Sequence, residues 1–118
     1  MARAGRAPRP AGQVCERADA ALVRAFDLLG KRWTGVLLGT LRGGPAGFRA
    51  LARAIDGISD SMLSERLREL GEVGLVARTV GEGPPVSVTY ALTDAGRALL
   101  PALEQLTRWA EEHLPAKG

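Results

Sequence analysis

"SMLSERLRELGEVGLV", residues 61–76, starts as an amphipathic helix, passes through two glycines and ends as a strand. With Leu63 at zero on a helical wheel, Leu67 and Leu70 fall within about 40° of it, while Ser61, Glu65, Arg68 and Glu72 lie at roughly 140° to 200°. Met62 and Ser64 take the two shoulders. A narrow apolar stripe under a broad polar face is also what an ordinary surface helix has, so the weight falls on what surrounds it.

Upstream, residues 48–55 put Phe48, Leu51, Ala52 and Ile55 at i, i+3, i+4 and i+7, a short helix. "DGIS", residues 56–59, turns the chain, and Ser59 stands where a helix N-cap is needed. Two short helices about a tight glycine-containing turn make a helix-turn-helix. Downstream the hydrophobic period changes from 3.6 to 2. "LVARTV" (75–80) and "VSVTYAL" (86–92) read as strands, the second with Val86, Val88, Tyr90 and Leu92 on one face. "GEGPP" (81–85) closes them into a hairpin.

Outside this unit the chain reads as helix. Leu22, Val23, Phe26 and Leu29 recur at helical spacing up to Gly30, and residues 32–42 are apolar nearly all round, the pattern of a buried helix. "GGPAG" (43–47) breaks the chain. Thr93 caps a long final helix reaching about Leu114, in which Pro101 removes one backbone hydrogen bond and bends the axis. Residues 1–13, rich in Ala, Gly, Pro and Arg, form a disordered basic arm, and residues 14–118 one domain. The fold class is mainly α (α+β): a winged helix-turn-helix with a two-stranded wing and terminal helices.

Composition sets the limits. A chain of 118 residues has room for one modest core, and 4% aromatics leave Leu, Val and Ala to build it. The longest apolar run, residues 33–41, is under half of the ~20 residues a membrane span requires. No apolar stretch follows the N-terminal arginines, so no secretory signal is read; one cysteine excludes an internal disulfide framework, and both fit the cytoplasm. The net charge of +3 is concentrated: residues 1–10 carry three Arg and no acid, and residues 24–78 carry nine bases against six acids. No motif for a nucleophilic serine, a zinc hydrolase, a phosphate loop or a paired-cysteine site occurs, and neither metal nor cofactor is expected. His113, the only histidine, falls in the last turn of the final helix, where it suits the helix C-terminus.

Helix, tight turn, polar-faced helix and hairpin, in that order, describe a domain whose second helix enters the major groove while the hairpin lies on the flanking backbone. Base reading then falls to Ser61, Met62, Ser64, Glu65 and Arg68. Arg68 is suited to a bidentate guanine contact and Glu65 to accepting from cytosine. Phosphate contacts fall to Arg49, Arg66, Arg78 and the helix N-terminus at Ser59. Double-stranded DNA is the partner on this reading. The alternative is a winged helix used only for protein contact.

The same residues carry a family resemblance. "GKRWT" (30–34), "GIS" (57–59), "LSERLREL" (63–70), "GLV" (74–76) and "YALTDAGRALLP" (90–101) make residues 20–114 resemble the HxlR-type transcriptional regulators, a branch of the MarR-like winged-helix proteins. The resemblance implies a homodimer joined through its terminal helices. On the first helix that surface is Leu22 and Phe26; on the last it is Leu99, Leu103, Leu106, Trp109, Ala110 and Leu114. A domain this small offers the last stripe little to bury against except a second copy. Two-fold pairing implies an inverted-repeat operator, with half-sites about one helical turn apart.

Two features depart from the family pattern. The second wing strand has Val86 and Ser87 where a basic residue is common, and the loop carries Glu82, which weakens the wing's hold on phosphate. Some members sense oxidants through a cysteine near the first helix. Cys15 is the candidate here, although it stands several residues further from Trp33 than is usual; Arg17 favours its thiolate while Glu16 and Asp19 oppose it. A small-molecule effector between the dimer halves is a further expectation, with Phe26, Trp33 and Trp109 as lining.

Overall fold

The computed structural model describes residues 19–116; the arm at residues 1–13 and Cys15 lie outside them. Five helices and three short strands follow in the order α1 (Ala20–Leu29), α2 (Thr34–Thr40), β1 (Ala46–Gly47), α3 (Phe48–Ala54), α4 (Asp60–Glu72), β2 (Val76–Val80), β3 (Val88–Leu92) and α5 (Asp94–His113), with a 3-10 turn at Leu41–Gly43. The core is a leucine cluster drawn from α2, α3 and α4, namely Leu37, Leu38, Leu51, Leu63, Leu67 and Leu70, closed by Leu41, Ile55, Val76 and Leu92. The aromatic residues stay at its margin.

The expected two-stranded wing forms from β2 and β3, and the sheet has one further strand. Its order is β1-β3-β2, antiparallel throughout, with Ala46 opposite Tyr90 and Arg78 opposite Tyr90 on the other side. β3 is therefore central, and residues 88–91 are half-buried without alternating, ahead of the buried Leu92. Val86 lies outside the strand, exposed in the wing loop. The break expected at residues 43–47 contains β1, whose two residues are too short for any hydrophobic period to reveal.

The helix following Trp33 also departs from expectation. Leu37, Leu38 and Thr34 are buried, but Val36 is 55% exposed, because α2 is covered on one side only. α5 continues through Pro101 as one helix. Its start is locked to the strand region: the Thr93 hydroxyl donates to the Gly74 carbonyl (2.6 Å) and accepts from the Gly96 amide (3.2 Å), while the Thr93 amide donates to the Leu75 carbonyl (3.0 Å). Gly74 turns the chain there at φ +84°, a left-handed conformation that favours glycine. At its other end, the His113 ring reaches back through Nδ1 to the Trp109 carbonyl (3.0 Å), one turn earlier in the helix.

Candidate nucleic-acid interface

α3 and α4 meet across a turn held from two sides. Ser59 caps α4 by accepting from the Met62 amide at 3.0 Å. Gly57 takes φ +90°, and a Cβ there would stand 3.4 Å from the Trp33 ring. Glycine is thus needed for the backbone turn, with the indole packed beside it. Trp33 itself adopts φ +81°, the one positive φ outside glycine among the described residues. An unusual backbone of this kind persists when its surroundings compensate; here the indole packs against the helix-turn-helix turn, with the Arg32 guanidinium 4.8 Å over its ring. Trp33 does not border the groove that Phe26 and Trp109 line.

α4 is anchored as the wheel requires. Leu63, Leu67 and Leu70 are buried, whereas Ser61, Met62, Ser64 and Arg68 are exposed and Glu65 is half-buried. Ser64, Arg68, Arg78 and Tyr90 border one depression of about 450 Å³ between α4 and the sheet. The alternation of residues 86–92 marks Tyr90 only as a strand-face residue. Its cross-strand partner Arg78 is visible only through the register.

Ion pairs organise this surface. Arg68 donates through Nη1 to Glu72 at 2.7 Å and through Nη2 to Glu65 at 2.8 Å. These two hydrogen bonds, Glu65's first, raise its pKa above the ordinary arginine value. Arg49 pairs with Asp60, tying the start of α3 to the first turn of α4. Arg66 is placed differently from Arg49 and Arg78: its side chain is 11% exposed and lies on Glu69 (3.1 Å), with Glu65 at 3.9 Å. A phosphate contact by Arg66 would have to draw it out of that site. Arg78 and Arg53 are exposed and, among the described residues, form no ion pair.

Glu69 also accepts from Lys31 Nζ at 3.2 Å, linking the α1–α2 corner to α4. That hydrogen bond is the main cause holding the Glu69 carboxyl below its usual range. A depressed carboxylate stabilises the fold fully above its ordinary pKa and loses that contribution as pH falls through the lowered value. At neutral pH the tie is complete.

Away from α4, α1 and α5 present an apolar surface. Leu22, Phe26, Leu99, Leu103, Leu106 and Trp109 line one groove of about 540 Å³. Ala110 faces α2 instead, in a second groove with Gly35 and Gly39, and Leu114 is exposed just past the helix end. Among the described residues no cluster of metal-ligating side chains occurs, and no helix is long and apolar enough to cross a membrane.

Comparison with known proteins places this geometry. Residues 28–118 match the family model described as HxlR-like helix-turn-helix. The chain is 42% identical over 88 residues to the HTH-type transcriptional regulator YodB of Bacillus subtilis, covering 75% of this chain and 79% of that one. The solved reduced form of YodB superposes with a TM-score of 0.74 at 36% identity, covering 90% of this chain and all of the other. A structure described as a MarR-family regulator from Enterococcus faecalis V583 gives a TM-score of 0.73 at 33% identity, over 85% of this chain and 93% of its own. These are regulators and not enzymes. The chain is a transcriptional regulator with a helix-turn-helix DNA-binding fold, and it belongs to the HxlR-like helix-turn-helix family.

Proposed function

We propose that the protein acts as a homodimer on an inverted-repeat operator, with α4 in the major groove and the β2–β3 wing against the flanking backbone. The observation that carries this is the orientation of α4: three buried leucines fix it inward, its Ser61, Met62, Ser64 and Arg68 are exposed, and Ser64 and Arg68 border one depression with Arg78. Ser61, Met62, Ser64, Glu65 and Arg68 read bases; Arg49, Ser59 and Arg78 approach phosphates, and Arg66 does so after leaving Glu69. The wing loop, with Glu82 and no cation, contributes little attraction. Repression is the proposed direction, because a dimer spanning successive major grooves occupies duplex that a polymerase would need. Binding that weakens steeply with salt tests the reading; affinity indifferent to ionic strength would fit a protein-contact module instead.

Arg68→Ala should lose about 1–3 kcal/mol on the preferred duplex and relax preference at one base pair. Competition binding on single-base variants of that duplex measures both, and unchanged preference would remove Arg68 from the reading set.

The dimer is supported by the α1–α5 groove. Phe26 is 53% exposed, and Leu22, Leu106 and Trp109 stand about as open, a continuous apolar surface that a second copy would cover. Leu106→Glu places a charge there and should convert the protein to a monomer in sedimentation experiments. The fold should survive, since Leu106 lies outside the core cluster. A variant still dimeric at the same concentration would move the interface elsewhere.

A further inference from the structure

α4 carries four acids, Asp60, Glu65, Glu69 and Glu72, against Arg66 and Arg68. An acidic excess is a poor design for a helix meant to lie between phosphates. Glu72 is the least explained of the four. It ends the helix, where the macrodipole disfavours a negative charge, and it follows Arg68 by four residues, the less favourable order for a helical ion pair. Helix stability therefore gives only a weak reason for it.

What Glu72 does is hold Arg68. The guanidinium lies between two carboxylates, Glu65 one turn before and Glu72 one turn after, each engaging a different terminal nitrogen. A guanidinium has five N–H donors. Two are used here, and three remain, so a two-bond contact to a guanine edge does not require either carboxylate to let go. Held from both sides, the long side chain is tethered at the surface of α4 while still about half exposed. Without the grip it would be free to swing toward either backbone.

We propose that Glu72 is a positioning residue for base reading, acting with Glu65 to hold Arg68 in the orientation that meets a guanine edge and to keep it off the phosphates. The inference rests on the functional reading above. Its consequence is a pair of opposite effects. Loss of Glu72 frees Arg68, so the preferred duplex must now bear the cost of ordering it, while any duplex gains from the removal of a negative charge.

The test measures binding of Glu72→Ala and Glu72→Gln to the duplex preferred in selection from random sequences, and to a scrambled duplex of the same composition. The ratio of the two affinities should fall by about three- to tenfold, the cost of immobilising one long side chain. Affinity for the scrambled duplex should rise, with a steeper salt dependence. Glu72→Gln, which keeps an acceptor, should lie between wild type and Glu72→Ala. In an Arg68→Ala background, Glu72→Ala should leave the ratio unchanged. Equal tightening on both duplexes would mean a net-charge effect alone and overturn the proposal, as would an equal loss on both. If no preferred duplex emerges for the wild type, the operator reading itself fails, and this inference with it; a preferred duplex whose ratio ignores Glu72 overturns the inference alone.

Discussion

Leu63→Ala is expected to cost about 2–5 kcal/mol of folding stability, the range for emptying a fully buried leucine site. Leu63 has no solvent exposure, and its neighbours in the cluster come from several other elements, so little can collapse into the space. A domain of this size has only about 5–15 kcal/mol to lose. Urea unfolding should show a lower midpoint, and operator affinity should fall further than the unfolded fraction explains, because the same leucine holds the reading helix in place. A cost under about 1 kcal/mol would mean that the site is loosely packed and that α4 is held by something else.

Gly96→Ala should be costly for a different reason. A Cβ at this position in the first turn of α5 would stand 2.3 Å from the Leu75 carbonyl oxygen and 3.2 Å from the Leu92 side chain. The carbonyl is backbone and is already bonded to the Thr93 amide, so it cannot step aside without disturbing the Thr93 junction. The expected loss is at the upper end of the roughly 1–3 kcal/mol seen on overpacking. Thermal unfolding measures it, at roughly 4–8 °C of midpoint per kcal/mol in a domain near 100 residues. An unchanged midpoint would show that α5 can shift away from β2 freely.

The Gly96 contact also accounts for two motifs that sequence comparison treats as separate. "GLV" supplies the turn and carbonyls at Gly74 and Leu75, and "LTDAG" supplies Thr93 and Gly96 that fit against them. Each motif was legible as a pattern; their meeting was not, because it depends on the strand register. The helix-turn-helix was readable for a simpler reason. Leu51, Ile55, Leu63, Leu67 and Leu70 keep a clean helical period on both sides of a glycine turn, and Ser59 announces the cap.

Other parts of the structure leave weaker traces in sequence. β1 has two residues, so no alternation can mark it, and its pairing makes β3 central, which erases the alternation expected there. The wheel gave the face on which Arg68 lies but not its partners, although Glu65 and Glu72 at i−3 and i+4 were the available signal. Arg49 with Asp60, and Lys31 with Glu69, join segments that only tertiary packing brings together.

The short β1 strand has a mechanical effect out of proportion to its length. By pairing with β3 it fastens the segment that leads directly into α3 to the hairpin beyond α4, so the wing and the helix-turn-helix are stitched into one stiff block. Such a block has little internal slack with which to follow a duplex of altered groove width or half-site separation. In the proposed dimer, any tolerance for imperfect operators would then come from how two blocks are yoked together, and loosening the β1 rung would be the way to make a single subunit more forgiving.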